Sequence, residues 1–304
     1  MTSIELILNG KSVANSDVRK AVNRLRSEGK PVNVHVTWEG GDAARFASRF
    51  SGNPEVVVMA GGGDGTVNEV LNGLFVSGHC ACAMAILPLG TANDFASSAS
   101  ISVTDAYEAL RLATEMHAQS VDVGVMNGRY FLNVASGGFG AEVTSRTPTA
   151  LKNAIGGLAY ALEAIILAMH SSAYPGRLIT PAKTYEGSVV MFAVGNGRQA
   201  GGGAHMAPQA LIDDGQFDVM LVPDHKDGNF INLLQSLAKL KLNETQDFYQ
   251  FRTPKLTIES ELELQINLDG EPVRGHAFSF QLMPKALRLV LPAHCPLLST
   301  GVTP

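Results

Sequence analysis

Glu55-Val56-Val57-Val58-Met59-Ala60-Gly61-Gly62-Gly63-Asp64-Gly65-Thr66 decides how the first part of this chain folds. Glu55 to Ala60 is a continuous β-branched run, the pattern of a strand buried on both faces. Glycines follow at once, and then Val67, Val70, Leu71, Leu74 and Phe75 recur at helical spacing. The stretch therefore reads as strand, glycine turn, helix. Upstream, Ile4 to Leu8 reads as another buried strand. Asn15 or Ser16 caps a helix with apolar positions Val18, Ala21, Val22 and Leu25, stopped by Gly29 and Pro31. Val32 to Thr37 is a further strand, and Asp42 caps a helix through Ala44, Ala47 and Phe50. Downstream, Ala83 to Leu87 ends in Pro88-Leu89-Gly90-Thr91. Such alternation predicts an α/β domain with a mostly parallel sheet covered on both faces. Ligands of these sheets bind beyond the carboxyl ends of the strands, where both glycine turns lie.

After about Asp122 the rhythm changes. Val121 to Met126 and Tyr130 to Val134 flank Asn127-Gly128, a hairpin signal. Further strands are predicted at Val189 to Val194, Phe217 to Val222, Lys255 to Ile258, Leu262 to Leu268, Phe278 to Leu282 and Leu287 to Leu291. This half reads as antiparallel β with two inserted helices, near Ile155 to His170 and Asn229 to Leu242. The boundary is expected near Val123, dividing 1–123 from 124–304, with the extreme C-terminus a candidate to pack back on the first domain.

At 304 residues the chain is long for one core, which supports two domains. Its formal charge of −5 argues against a general nucleic-acid binder, which carries a basic excess. Cys80, Cys82 and Cys295 are too sparse for a disulfide framework and suit a reduced cytoplasm. Met1 to Glu5 lacks a basic n-region, so no cleaved signal is expected. Leu158 to Met169, interrupted by Glu163, is too short to span a bilayer. The expectation is a cytoplasmic protein able to contact a membrane peripherally.

Some motifs fail on inspection. Gly10-Lys11-Ser12 resembles the end of a P-loop, but Glu5 stands where its first glycine belongs. Gly195-Asn196-Gly197-Arg198-Gln199-Ala200 matches a dinucleotide fingerprint, yet Gly201-Gly202-Gly203 occupy the place of its helix. Cys80-Ala81-Cys82 has no second cysteine pair to complete a zinc site.

Three loops carry chemistry. In Gly62-Gly63-Asp64-Gly65-Thr66, glycines admit close approach of a phosphate to backbone N–H groups at a helix start. The alternative is a plain turn capped by Thr66. Asp64 beside polyphosphate is repulsive unless a cation intervenes, so a nucleotide reading brings Mg²⁺ with it. Pro88 to Ala96 offers Gly90, Thr91, Asn93 and Asp94 at the same sheet edge, or serves only as a capped helix start. Asp269-Gly270-Glu271 is a hairpin turn or a source of a general base for a hydroxyl nucleophile.

With these loops in place, the chain resembles the bacterial diacylglycerol kinase-like lipid kinases of the YegS type. Asn9, Gly137-Gly138-Phe139-Gly140, Asp213-Asp214-Gly215-Gln216-Phe217-Asp218 and Asp269-Gly270-Glu271 occur in the family's order. Asn9-Gly10 departs from the family's usual Asn-Pro. The resemblance implies ATP bound between an α/β nucleotide-binding domain and an antiparallel β-sandwich domain. The γ-phosphoryl group would pass to a primary hydroxyl of a membrane glycerolipid, diacylglycerol or phosphatidylglycerol in class. It implies ATP contacts at Thr37, Gly63, Asp64, Gly65, Thr66, Val67, Asn68, Glu69 and Thr91. Glu271 is the implied proton acceptor, with Asp269 its competitor. A metal site in the sandwich domain maps to the carbonyls of Leu211 and Gln216 plus Asp214, for Mg²⁺ or alternatively Ca²⁺. Phosphorylation of a soluble alcohol, as in NAD kinases, and a non-catalytic lipid or nucleotide sensor are the competing readings. Asn229 to Leu242, with Phe230, Leu233, Leu234, Leu237 and Leu240 at helical spacing beside Lys239 and Lys241, is the expected membrane contact.

Overall fold

The computed structural model describes residues 3–115, 118–138, 173–224 and 249–299. The helices expected at Ile155 to His170 and Asn229 to Leu242, and Phe139-Gly140 of the glycine motif, lie outside the described residues. The chain forms two compact units: Met1–Leu132, Leu211–Gly215 and Met283–Pro304 in the first, Asn133–Ala210 and Gln216–Leu282 in the second.

The first unit runs β1 (Ser3–Leu8), α1 (Ser16–Ser27), β2 (Val32–Val36), α2 (Asp42–Ser48), β3 (Val56–Gly62), α3 (Asp64–Leu74), β4 (Ala83–Pro88), α4 (Asp94–Ser98), α5 (Ala106–Glu115), β5 (Ala118–Met126) and β6 (Arg129–Phe131). β1 pairs in parallel with β2 and β3, and β3 in parallel with β4. Every residue of β3 and β4 is buried, as apolar runs without polar alternation require. On one face Val56, Val58, Ala60, Met84 and Ile86 pack with Val67, Val70, Leu71 and Leu74 of α3. On the other, Val57, Met59, Ala83, Ala85 and Leu87 pack with α1 and α5. Asn15 caps α1 by accepting the N–H groups of Asp17 and Val18 at 3.0 and 3.3 Å. Asp42 is the first residue of α2 rather than its cap, and Gly41 holds the cap position at φ 88°. The Asp42 carboxylate instead accepts Trp38 N–H at 2.8 Å and meets Arg45. Those bonds hold its pKa down to about 2.

The second unit contains β7 (Val134–Gly138), β8 (Tyr174–Ile179), β9 (Thr184–Gly195), β10 (Gln199–Ala200), β11 (Ala204–His205), β12 (Phe217–Pro223), β13 (Tyr249–Thr253), β14 (Lys255–Leu268) and the first part of β15 (Glu271–Val290). Among the described residues, its strand pairings are antiparallel. Two strands expected on either side of Ser260 are one strand, β14, whose register against β15 shifts between Glu259 and Leu264. Phe278 to Leu282 and Leu287 to Leu291 likewise merge into β15. That strand ends in the first unit, where Arg288 and Leu289 pair in parallel with Ala83 and Met84 of β4.

The first unit extends beyond the expected boundary at Val123 because the β5–β6 hairpin belongs to its core. Val121, Val123 and Leu132 pack there with Leu287, Leu289, Leu291, Cys295 and Leu297. The acidic loop Leu211–Gly215, expected in the sandwich domain, also belongs to the first unit. Ile212 is fully buried in that core, its N–H donates to Leu297 O at 2.9 Å, and its carbonyl accepts Asp122 N–H at 2.6 Å.

Candidate active site: glycine loops, an acidic loop and a carboxylate turn

At the carboxyl ends of β3 and β4, absent side chains allow two loops to touch through their backbones. A Cβ on Gly90 would stand 2.4 Å from the Cα of Gly63, so both loops need glycine there. Leu89 N–H donates to Gly62 O at 2.9 Å. Asn93 adopts φ 52°, and its side chain both accepts Gly90 N–H at 2.9 Å and donates to Gly90 O at 2.8 Å. This clamp holds the second loop in a fixed shape.

Gly63 precedes α3 without any side-chain cap. The first backbone donor satisfied inside that turn is Val67 N–H, to Gly63 O at 3.1 Å. The N–H groups of Asp64, Gly65 and Thr66 come before it and have no carbonyl within the helix to meet. They lie where the helix dipole favours an anion. Thr66 is no simple cap. Its buried hydroxyl accepts Asn9 Nδ2–H at 3.0 Å, and Gly62 leaves room for it, since a Cβ there would lie 2.4 Å from Thr66 Oγ1. Asn9 N–H in turn donates to Gly61 O at 2.8 Å, tying the end of β1 to the end of β3. Asp64 has a structural task as well: its Oδ2 accepts Asp94 N–H, the first of α4, at 3.3 Å.

Thr37 joins the same edge. Its N–H donates to Leu8 O at 3.0 Å and its hydroxyl accepts Gly10 N–H at 3.1 Å. Proline at position 10 would lack that N–H, and a Cβ there would stand 2.4 Å from Thr37 O. Glycine is thus fitted to this first turn. Thr91 is exposed on the second loop.

Val67, Asn68 and Glu69 point to other tasks. Val67 is core. Asn68 Nδ2 and Asn72 Nδ2 donate to Tyr130 O at 3.0 and 2.9 Å, and Asn72 Oδ1 accepts Tyr130 N–H at 2.9 Å, so α3 is stitched to the β5–β6 hairpin. Glu69 Oε1 accepts Ala43 N–H at 3.2 Å, in the first turn of α2. Sequence spacing gave no sign of these tasks, because the partners lie on other elements.

Asp122 of β5 is fully buried and holds the acidic loop. Its Oδ2 accepts Gly215 N–H and its Oδ1 accepts Lys285 N–H, both at 2.7 Å. Burial outweighs those two bonds and keeps its carboxyl above the usual carboxylate range. Asp213 accepts Ser299 N–H and hydroxyl at 2.8 Å each. Asp214, next in the loop, is half-buried, with Leu211 before it; Gln216 begins the second unit. Carbonyl and carboxylate oxygens are the donors Mg²⁺ and Ca²⁺ take, but no group of three or more His, Cys, Asp or Glu side chains among the described residues is placed to hold an ion.

In the second unit, Asp269 and Gly270 adopt φ 49° and 97°, the left-handed pair of a two-residue hairpin joining β14 to β15. Asp269 Oδ1 accepts the N–H groups of Asn133 and Val134 at 3.0 Å each, and Asp269 N–H donates to Val134 O at 3.2 Å. The carboxylate therefore braces the start of β7. Glu271 is exposed.

Comparisons with known proteins agree with this architecture. Residues 3–126 match the diacylglycerol kinase catalytic domain, and residues 133–291 match the YegS C-terminal NAD kinase beta sandwich-like domain. A protein of Chromohalobacter salexigens named "Probable lipid kinase YegS-like" is 44% identical over 97% of this chain and 94% of its own. One from Pseudomonas aeruginosa bearing the same name is 42% identical over 96% and 95%. A crystal structure of a diacylglycerol kinase from Bacillus anthracis str. Sterne superposes with a TM-score of 0.73 at 25% identity, over 96% of this chain and 97% of that one. Both halves and nearly the full length match one group, and the chain belongs to the diacylglycerol kinase-like lipid kinases, in their YegS branch.

Proposed function

We propose that the chain transfers the γ-phosphoryl group of ATP, with a divalent cation, to a primary hydroxyl of a membrane glycerolipid. The observation that carries this reading is the clamped pair of glycine loops. They present the N–H groups of Asp64, Gly65 and Thr66 at a helix start, in a lipid kinase chain. Those N–H groups, with Gly63, receive phosphate oxygens, while Thr37 and Thr91 supply hydroxyls at the same sheet edge. Phosphoryl transfer depends mainly on positioning and charge neutralisation, so rigid backbone donors are the larger part of the chemistry.

Leu211, Asp214 and Gln216 would hold Mg²⁺ or Ca²⁺, and Asp64 would meet the cation that accompanies ATP. Such an ion neutralises phosphate charge that a bare carboxylate would oppose. Glu271 is assigned as the proton acceptor for the lipid hydroxyl. Asp269, with one oxygen engaged by two backbone N–H groups, is assigned to holding the turn. Val67, Asn68 and Glu69 support the nucleotide loop through packing and hydrogen bonds.

Incubation with labelled ATP, Mg²⁺ and a panel of diacylglycerol, phosphatidylglycerol and NAD tests the proposal. Label is expected in a glycerolipid. Label in NAD alone, or nucleotide binding with no transfer to any acceptor, would overturn it.

A further inference from the structure

We infer that Cys80 and Cys82 form a reversible thiol–disulfide site, oxidised by a hydroperoxide and restored by a thiol reductant. Both stand in the first unit between α3 and β4, at the end of β4 away from the glycine loops. The pair lacks the partners of a zinc site, but a disulfide needs no third ligand. Residues two positions apart lie within about 7 Å of each other even in a fully extended chain. Disulfides join Cα atoms roughly 4.4–6.8 Å apart, so the pair is within reach on spacing alone. The side chains are turned toward each other as well. Cys80 Sγ stands 3.4 Å from Cys82 Sγ, and its thiol donates to Cys82 O at 3.4 Å. Ala81 fixes the segment between them, its N–H donating to Ser51 O at 2.7 Å.

The two thiols differ as an attacking and a resolving cysteine must. Cys80 is partly exposed, whereas Cys82 is fully buried, as is Cys295 elsewhere in the core. A hydrogen bond from the Cys82 thiol draws the Cys80 thiol below the ordinary cysteine value against its own burial, and the Arg288 charge adds to the pull. The same bond, with burial, pushes the Cys82 thiol up. Cys80 is therefore the thiolate that meets the oxidant. It attacks one peroxide oxygen: the S–O bond forms, the O–O bond breaks, and the departing hydroxide takes up a proton as water. The Cys82 sulfur then attacks the Cys80 sulfur. The S–S bond forms as the S–O bond breaks, and the released hydroxide leaves with the Cys82 proton as a second water. Two thiols thus give two electrons to one peroxide. The bridge also protects the fold. Cys82 belongs to the core beside Phe75 and Met84, and a disulfide keeps that place uncharged where a sulfinic acid would bring a charge. Because it closes so short a loop, the bridge constrains the unfolded chain little and stays open to reduction.

The test is to treat the reduced, folded full-length protein with hydrogen peroxide, alkylate the remaining thiols with iodoacetamide after unfolding, and map the peptides by mass after pepsin digestion. The peptide holding Cys80 and Cys82 should lose two hydrogens and escape alkylation, Cys295 should be alkylated in full, and dithiothreitol should reverse the change. Cys80→Ser should abolish the reaction and leave Cys82 alkylated. In Cys82→Ala the sulfenic acid has no resolving thiol, so dimedone should label Cys80. Thermal melts verify that both variants are folded, and if either is not, the map of the wild-type protein decides alone. After peroxide followed by dithiothreitol, the wild-type melting temperature should return to its starting value. Oxygen added to Cys80 while Cys82 remains alkylatable would overturn the inference. So would disulfide-linked dimers on a non-reducing gel, which would give Cys80 to a second copy of the chain, or a bridge that forms only in urea.

Discussion

Asp269 and Glu271 lie two positions apart and look interchangeable in sequence, but their surroundings divide the work. Asp269→Asn is expected to lower stability by about 1–3 kcal/mol, since the amide disturbs an acceptor of two N–H groups, read as a lower midpoint in a urea melt. Glu271→Gln should leave the melt unchanged and lower turnover about 10²–10⁴-fold at constant ATP affinity. The reverse pattern would exchange the two roles. Asp218, from the acidic motif, makes a different prediction. Burial pushes its carboxyl up to about 6 against the opposing pull of the Arg198 charge, and its Oδ2 lacks a hydrogen-bond partner although Arg252 Nε stands 3.3 Å away. A raised folded-state value means that this group favours folding below its unfolded value near 4. The benefit is lost as pH rises through 6. Asp218→Asn should therefore stabilise the protein at pH 7 by about 2 kcal/mol and flatten its stability between pH 4 and 6, followed by melts across that range. The motif residues were legible in sequence because glycines and acids at strand ends have few cheap explanations. Their division of labour was not, since it depends on partners such as Asn133, distant along the chain.

The elements of the first unit were readable because each apolar run carries one period and ends at a glycine, proline or capping residue. Longer strands were read in pieces. β14 carries the polar stretch Glu259 to Glu263 at its register shift, and β15 alternates so often with exposed residues that its middle reads as a break. α5 has a clear apolar stripe at Ala109, Leu110 and Ala113, but lacks the strong stop signals that marked α1. The Gly63–Gly90 contact escaped sequence reading altogether, being a meeting of two loops. Gly90→Ala is expected to push the loops apart, since the new Cβ would lie 2.4 Å from Gly63 Cα and 2.8 Å from Asn93 Oδ1. ATP affinity should fall about tenfold or more, with a smaller change in melting temperature. Trp38, the single tryptophan, is 94% exposed beside Thr37 and supplies a fluorescence readout of nucleotide binding for that titration.

For the whole molecule, the change from alternating α and β to antiparallel strands was visible in the hydrophobic period. The extreme C-terminus was expected as a candidate to pack back on the first domain, but not the strand that carries it there, because strand patterns do not reveal which sheet a strand joins. That return makes the first unit discontinuous. A fragment of residues 1–123 lacks Leu132, Ile212, Leu287, Leu289, Leu291 and Leu297, all at most 1% exposed in the same core. It is expected to be molten or unfolded, with lost near-ultraviolet dichroism and bound hydrophobic dye as the measurements. Cooperative unfolding of that fragment would contradict the expectation. The pairing of Arg288 and Leu289 with β4 has a consequence for biosynthesis. While the ribosome is still making the polypeptide, that side of β4 has no β15 to cover it, and an open, wholly apolar strand edge is a template for association with other chains. The nucleotide loops at the ends of β3 and β4 thus await residues translated much later than themselves, and nascent chains should be most prone to aggregate, and most dependent on chaperones, in the interval before Arg288 and Leu289 emerge.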